Sequence, residues 1–206
     1  MKNLVLLERI YSGRRAELKR IILNEALECF LKNGIETTQI EMIRERADTS
    51  VGAIYHHFKN KEGIVRALYF SALQDQAQRL EQTLLEVQSL EEVIKAIVHS
   101  YIDWVIDFPD FARFLYMSST TVKHLNDSHE LKQKNQQRNH NLMNHIQKFN
   151  DYQSIQNIPH ELLLSLVIGA TESYCRAWLS NQVKMSPQNY KSKLADSAWR
   201  SLVEFS

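Results

Sequence analysis

The chain is poor in the two residues that interrupt helices, since only five Gly and three Pro occur among its 206 residues. Long alternations of β-branched residues are few as well. These deficits argue against sheet-rich and turn-rich classes and predict an all-α protein. With 44% hydrophobic residues, the chain can still bury a sizeable core.

Cysteine is also scarce. Cys29 and Cys175 lie in different regions, each on an apolar face at helical spacing. Two cysteines so placed exclude a disulfide framework and predict two buried free thiols rather than a disulfide or a redox pair.

No hydrophobic run is long enough to span a bilayer, which takes about 20 apolar residues. The longest apolar region, residues 162–170, contains Ser165 and is flanked by Glu161 and Glu172. The apolar run Leu4–Leu7 is too short for the core of a signal peptide. We therefore expect a cytoplasmic protein with no membrane partner. Residues 1–12 are predicted to form a frayed or partly helical arm, with an arm that reaches DNA as the alternative.

Motifs of catalysis and metal binding are missing. The chain has no G-x-S-x-G, no Gly-rich phosphate loop, and no Cys or Ser with an evident base. His140 and His145 are five positions apart, which on a helix separates them by about 140 degrees. His124 and His129 share that spacing, and no Cys lies near either pair. We expect no enzyme activity, no metal and no cofactor.

The segment from Thr38 to Lys61, TQIEMIRERADTSVGAIYHHFKNK, predicts two short amphipathic helices around a tight turn. Ile40, Ile43 and Ala47 share one face of the first helix. Thr38 stands where an N-cap is expected.

The turn between these helices is predicted at residues 48–50. Asp48 tolerates the left-handed conformation, and Ser50 can cap the second helix. That helix is predicted over about residues 51–57, with Ile54 and Phe58 pointing inward because they are four apart. The side chains left to look outward are Ala53, Tyr55, His56 and His57. Such a division is typical of a helix-turn-helix that presents one face to DNA.

A net charge of only +1 is weak for a nucleic-acid-binding protein, so the distribution of charge matters more than its sum. Cations cluster at the two ends of the N-terminal region: Arg14, Arg15, Lys19 and Arg20, and then Lys59 and Lys61. Such a protein should depend on dimerisation and DNA shape as well as on phosphate contacts.

The order and spacing of this segment resemble the TetR family of bacterial transcriptional regulators, whose signature runs roughly T, I-A, A-G-V-S, G-T-L-Y-x-H-F, K-E. The residues in register are Thr38, Ile43, Ala47, Ser50, Gly52, Ile54, Tyr55, His57, Phe58, Lys61 and Glu62. Three positions depart from the pattern: Arg44 replaces a small Ala, Asp48 a turn Gly, and Ala53 a Thr that commonly reaches the DNA backbone.

The resemblance implies that the protein contacts an operator in double-stranded DNA. Tyr55 and Lys61 are expected to meet phosphates, Gly52 lets the backbone approach the bases, and Val51 can meet a thymine methyl group. The predicted DNA-contacting residues are Thr38, Ser50, Val51, Gly52, Ala53, Tyr55, His56, His57 and Lys61.

Two domains are predicted: a helix-turn-helix DNA-binding domain at residues 13–60 and a helical ligand-binding and dimerisation domain at residues 61–206. The first helix should run from Gly13 or Arg14 to Asn33 and stop at Gly34. Further helices are expected at about residues 61–86, 90–108, 110–121, 128–149, 158–181 and 187–204, with loops around 126–128 and 150–157.

The last two helices are predicted to form a homodimer interface through residues 158–204. Apolar residues cover nearly the whole circumference of the helix between Leu162 and Ile168, so more than one side must be buried. In the TetR family the corresponding helices pair as a four-helix bundle, which the resemblance implies here. A two-fold dimer would present two recognition helices to two half-sites.

Aromatic side chains are dense between residues 101 and 178. At helical spacing they are often plain core, but with the family resemblance they also suggest a cavity for an apolar or aromatic effector. Glu172 either orients the ligand or forms a surface ion pair with Arg176. The predicted ligand-binding residues are Tyr101, Trp104, Phe108, Phe111, Phe114, Met117, Glu172, Tyr174 and Trp178.

The sequence thus predicts a ligand-responsive regulator, a repressor that leaves its palindromic operator when the effector binds. The alternative is an architectural or partner-binding DNA-binding protein that has no effector, which a solidly packed C-terminal core would favour.

Overall fold

A computed structural model describes residues 2–124, 128–149, 152–153 and 155–204. These residues form helices and turns without any strand, which confirms the all-α class. The helices, in chain order, are α1 (Lys2–Ile10), α2 (Glu17–Asn33), α3 (Ile40–Arg46), α4 (Val51–Phe58), α5 (Lys61–Leu84), α6 (Leu90–Asp107), α7 (Pro109–His124), α8 (Ser128–Ile146), α9 (His160–Leu179) and α10 (Lys191–Val203). Short 3₁₀ turns at Arg14–Ala16 and Pro187–Tyr190 precede α2 and α10.

Helix ends coincide with glycine and proline residues in the sequence. Gly34 adopts a φ of 86° directly after α2, a conformation that glycine reaches without a Cβ penalty. Pro109 separates α6 from α7 and opens the latter, because its fixed φ suits the first helical position. The predicted loop residues Asn126 and Asp127 lie outside the described residues.

The chain divides into two compact units. Unit 1 comprises Met1–Asp75 and Phe108–Ser128, and unit 2 comprises Gln76–Asp107 and His129–Ser206. Helix α5 belongs to both, since it begins in unit 1 and ends in unit 2. The predicted domain boundary after residue 60 falls within unit 1 and stays a prediction.

Unit 1 surrounds α2, whose buried side chains include Leu27 and Phe30. The ring of Phe30 stacks on Phe114 of α7 with centroids 5.9 Å apart. Helix α7 therefore completes the core of the helix-turn-helix unit, an assignment that the sequence did not suggest.

Residues 1–12, predicted to form a frayed or partly helical arm, are helical over most of their length and are not frayed. Residues Lys2–Ile10 form the regular helix α1, which buries Leu6 and Leu7 completely. Arg9 forms an ion pair of 2.9 Å with the buried carboxylate of Asp75 and lies over the Phe108 ring, 5.1 Å from its centroid. These long-range contacts hold a segment whose own apolar run is short.

Unit 2 is built on α6, α9 and α10, which pack against one another. Two ion pairs join α6 to the α10 segment, Lys95 with Asp196 at 2.7 Å and Lys191 with Asp103 at 2.7 Å. Cys175 on α9 is fully buried, and burial raises the pKa of its thiol to about 12.

Cys29 and Cys175 are both free and buried, as predicted. In the part of the chain that the structure describes, no helix is long and apolar enough to cross a membrane.

Candidate DNA interface and ligand cavity

The turn between α3 and α4 has the predicted geometry. Asp48 adopts a φ of 46°, in the left-handed region that Asp tolerates better than most residues. Ser50 is the N-cap of α4, and its hydroxyl oxygen accepts a hydrogen bond of 3.1 Å from the Ala53 amide. The cap fixes where α4 begins and therefore which side chains it exposes.

Helix α4 divides as predicted into a buried and an exposed face. Ile54 and Phe58 point into the core of unit 1. Tyr55 is 47% exposed, and His56 is exposed beside it. Ser50 and Gly52 are exposed as well. Ala53 and His57, which were predicted to face outward, are half-buried rather than exposed, as is Val51.

Thr38 does not have the predicted position. It is fully buried, and its hydroxyl group lies within hydrogen-bond distance of the carbonyls of Cys29, at 3.2 Å, and Gly34, at 2.7 Å. The N-cap of α3 is instead Gln39, whose side chain makes no capping hydrogen bond. A buried hydroxyl group cannot reach DNA from this position, so Thr38 positions α3 rather than forming part of the exposed surface.

Lys61 at the start of α5 is also occupied within the protein. Its ammonium group donates to the carbonyls of Ile35, Glu36 and Thr38 at 2.9, 3.0 and 3.0 Å. A phosphate contact would require the ammonium to leave these three acceptors. The geometry supports a role in which Lys61 ties α5 to the loop between α2 and α3.

Gly63 and Asn60 join α4 to α5, and sequence reasoning missed both. A Cβ at Gly63 would collide with the carbonyl oxygen of Phe58, so only glycine permits this close approach. The Asn60 side chain accepts a hydrogen bond of 2.8 Å from the Gly63 amide. The sequence pattern that could have predicted this junction is an Asn three residues before a Gly at the start of a helix, because Asn is a preferred N-cap.

Arg44, which stands where the TetR pattern has a small Ala, extends its guanidinium group to the surface. There it pairs with Glu45 at 3.2 Å. Arg46 instead ties α3 to α2 through Glu25 at 2.9 Å and Glu28 at 3.3 Å. The two pairs made by Arg46 therefore link α3 to α2 at the surface.

The basic cluster around α2 separates into structural and exposed members. Arg20 donates to the carbonyls of Tyr11 and Gly13 at 2.7 and 2.8 Å. Lys19 lies over the Tyr11 ring, 4.0 Å from its centroid, and burial lowers the pKa of its ammonium group. Arg14 and Arg15 are exposed, as is Lys59 at the end of α4. These last three cations are therefore the ones available to phosphates.

His57 is uncharged at neutral pH. Partial burial, and then the neighbouring His56 and Lys19, lower the pKa of its imidazole below the usual value of 6.5. At neutral pH this side chain can offer a hydrogen bond to DNA but no charge.

Unit 2 contains a cavity of about 370 Å³. Residues from α5, α6, α8 and α9 line it, and most of these side chains are apolar, among them Leu80, Ile97, Leu142 and Val167. A volume of this size lies near the lower end of small-molecule pockets, roughly 300–1,000 Å³.

Of the nine predicted ligand-binding residues, the structure brings Tyr101 and Trp104 to this cavity. Phe108, Phe111 and Phe114 are buried in unit 1, and Met117 is exposed there. Their periodicity correctly indicated burial but did not reveal that α7 packs on α2. These four residues therefore do not line this cavity.

The three predicted residues on α9 do not line the cavity either. Glu172 pairs with Arg176 at 3.0 Å on the surface, which is the alternative that the sequence left open. The Tyr174 hydroxyl group donates to the Met185 carbonyl at 3.0 Å. Trp178 is half-buried elsewhere in the unit. The cavity residues that sequence reasoning missed are mainly aliphatic and come from α5, α6, α8 and the first half of α9.

The N-terminal region of the chain is similar in sequence to known proteins, and the fold of the chain is similar to solved structures. Residues 22–68 match the family described as bacterial regulatory proteins, tetR family. The fatty acid metabolism regulator protein of Bacillus subtilis (strain 168) is 28% identical over 80 residues, which are 39% of this chain and 41% of that protein. The uncharacterized HTH-type transcriptional regulator YvkB of the same organism is 37% identical over 62 residues, or 30% of this chain and 33% of that protein.

A likeness in fold extends over most of the chain. The crystal structure of the transcriptional regulator FadR from Bacillus subtilis, in complex with stearoyl-CoA, has a TM-score of 0.67 and 20% sequence identity. That match covers 86% of this chain and 96% of FadR. The sequence matches, by contrast, span less than half the length of the two relatives.

The family and these relatives are regulatory proteins rather than enzymes, in agreement with the missing catalytic motifs. The matched residues contain α3, the capped turn and α4 in full, and the helical fold continues beyond them. Residues 22–68 of the chain are therefore similar to the tetR family of bacterial regulatory proteins.

Proposed function

We propose that the protein is a DNA-binding transcriptional repressor that binds a palindromic operator as a dimer and leaves it when an apolar or aromatic small molecule fills the cavity of unit 2. The observation that carries the DNA-binding part is the exposed face of α4, which the Ser50 cap and the Asp48 turn present at the surface.

The DNA contacts would divide into two kinds. Exposed Tyr55 and Lys59, with Arg14 and Arg15 before α2, would meet phosphates and fix the docking position. His56 and the backbone around Gly52 would face the base edges in the major groove. A recognition helix in this position is typical of helix-turn-helix proteins.

Dimerisation through residues 158–204 is supported by the outward face of α9. Ser165, Gly169 and Ser173 recur every four residues, and the two serines are exposed. A Cβ at Gly169 would meet nothing within 4 Å, so another helix could approach closely there. The corresponding helices of TetR regulators form such an interface.

The response to a ligand is supported by the cavity and by α5. This helix starts at Lys61, which is tied to the helix-turn-helix, and its residues Gln76 to Leu84 contribute to the cavity wall. A ligand that prefers one arrangement of α5 would change DNA affinity, by about 5- to 150-fold for a coupling of about 1–3 kcal/mol. The open cavity favours this function over an effector-independent architectural protein.

Selection of duplexes from a random library by the purified protein tests the DNA-binding proposal. We expect a two-fold symmetric motif to be enriched by the wild-type protein. His56→Ala should lose part of the base preference, whereas His140→Ala, an exposed histidine on α8, should enrich the same motif. Failure of the wild-type protein to enrich any motif would contradict the proposal.

Sedimentation of Gly169→Arg and Ala170→Arg tests the interface. Both positions offer room for a side chain within the protomer, since a Cβ at Gly169 meets no atom and Ala170 is exposed. We expect monomers with weak DNA binding, with exposed Gln133→Arg as the dimeric control. An unchanged dimer in both variants would rule out this face of α9.

A further inference from the structure

His145 on α8 places a polar atom in the wall of the cavity. Its Nε2 atom is buried and has no hydrogen-bond partner among the described residues. A buried polar atom without a partner costs about 1–3 kcal/mol, so such atoms often mark a place that another molecule satisfies. The second atom of this kind, Nε2 of His99, does not belong to a residue that lines the cavity.

The other polar groups of the wall limit what the ligand can be. The polar lining residues are Gln76, Glu81, Ser100, Tyr101, Asn141 and His145. No Lys or Arg occurs among the lining residues that the structure describes, and the one full charge is the acidic Glu81. An anionic group inside the cavity would therefore lose its hydration without gaining a cation.

We propose that His145 is the specificity-determining anchor of the cavity, and that the ligand is an uncharged, largely apolar molecule carrying a hydroxyl or carbonyl oxygen that hydrogen-bonds to Nε2. The inference rests on the proposed ligand response and names the chemical class that the cavity selects.

The imidazole chemistry accounts for this choice. A neutral imidazole carries one N–H donor and one acceptor nitrogen, so Nε2 acts as one or the other according to tautomer. A hydroxyl group can complement either tautomer, whereas a carbonyl complements only Nε2–H. The apolar remainder of the ligand would contact side chains such as Leu80, Ile97 and Val167. Hydrophobic burial then supplies affinity, and His145 supplies selection among apolar molecules.

The test compares binding of four probes to the full-length protein: pyrene, decanol, methyl decanoate and decanoate. Pyrene is purely apolar and fluorescent, so it reports the cavity directly and the others compete with it. In His145→Leu we expect decanol to bind about three- to tenfold more weakly, the effect of one hydrogen bond, and methyl decanoate to weaken likewise only if Nε2 carries the proton. Pyrene should bind as tightly as before or more tightly, because the unsatisfied atom is gone. Weaker binding of both decanol and methyl decanoate to His145→Leu would identify Nε2 as a donor. Weaker binding of decanol alone would identify it as an acceptor.

His140→Leu is the matched control, since this exposed histidine lies on the same helix outside the cavity wall. It should change none of the affinities, and decanoate should bind the wild-type protein more weakly than decanol does. An unchanged ratio of decanol to pyrene affinity in His145→Leu, or tighter binding of decanoate, would overturn the inference while leaving the cavity intact. If the wild-type protein bound neither pyrene nor decanol, the proposed ligand response would be contradicted. The proposed role of His145 would then be contradicted as well.

Discussion

Units 1 and 2 are held together in different ways. In unit 1, several helix ends are secured by side chains that bond to backbone groups. The Ser50 hydroxyl oxygen accepts from the Ala53 amide at the start of α4, and Lys61 at the start of α5 donates to carbonyls of the α2–α3 loop. In unit 2, helices pack through apolar side chains and through ion pairs such as Lys95–Asp196 and Lys191–Asp103, and the packing leaves a cavity of about 370 Å³. Among the described residues, unit 1 has no buried side-chain nitrogen or oxygen without a hydrogen-bond partner, whereas unit 2 has two, Nε2 of His99 and Nε2 of His145.

This contrast matches what each unit is proposed to do. A surface that docks on DNA must keep its side chains in fixed positions, so bonds to the backbone at both ends of α4 are useful. A unit that responds to a ligand must have more than one accessible arrangement, and incomplete packing lowers the cost of changing it.

Trp104→Ala should reduce the stability of unit 2 by about 3–5 kcal/mol, because truncating a large buried side chain enlarges a space that neighbours cannot fill. Trp104 is only 1% exposed. Urea unfolding measures the loss, and half-buried Trp178→Ala should cost less. Equal losses in the two variants would show that Trp104 does not support the cavity wall.

Gly63→Ala should destabilise unit 1 by about 1–3 kcal/mol, since the new Cβ must push against the Phe58 carbonyl. Gly52→Ala is the matched control, because its Cβ would meet only the Ser50 hydroxyl oxygen at 3.9 Å. We expect thermal unfolding of the control to be unchanged or raised, with altered DNA affinity. A stable Gly63→Ala would mean that the α4–α5 junction tolerates adjustment.

Lys61→Ala and Lys59→Ala should separate a positioning role from a phosphate contact. Loss of the three carbonyl contacts of Lys61 should cost about 1–2 kcal/mol of stability and leave the salt dependence of DNA binding nearly unchanged. Exposed Lys59→Ala should keep stability and lower the slope of log affinity against log salt by about one. The reverse pattern would restore Lys61 as the phosphate contact predicted from the sequence.

The smallest effect concerns pH. His57 in unit 1 and His99 in unit 2 both have a lowered pKa, and burial is the first cause for each. The next causes are His56 and then Lys19 for His57, and Lys191 for His99. The folded state therefore disfavours the protonated imidazole. Stability should be complete above the unfolded pKa of about 6.5 and fall as the pH drops through the folded pKa.

His57→Gln and His99→Gln should each flatten this acid dependence, as measured by urea unfolding between neutral and mildly acidic pH. His99 should contribute more, because its Nε2 is buried without a partner among the described residues. A dependence that persists in the double variant would assign it to other groups.

The sequence predicted those features that depend on local geometry. Gly34 ends α2, Pro109 opens α7, and Asp48 with Ser50 forms the turn, each because the backbone conformation suits that residue type. Helical spacing likewise identified Ile54 and Phe58 as buried.

The features it did not predict depend on partners far along the chain. Helix α1 is ordered by contacts such as that between Arg9 and Asp75, and the aromatic residues of α7 are buried against α2. Periodicity shows that a side chain is buried but does not identify what covers it. For the same reason aliphatic cavity residues such as Leu80 and Val167 were missed, since they resemble ordinary core.

The central claim is that the exposed face of α4 contacts DNA, and protection of histidines from chemical modification tests it most directly. Diethyl pyrocarbonate should modify exposed His56 and His140 in the free protein, with the sites read by mass spectrometry. With saturating duplex from the selected motif, we predict that modification of His56 slows strongly while that of His140 continues at the same rate. Equal modification of His56 with and without bound DNA would contradict the claim.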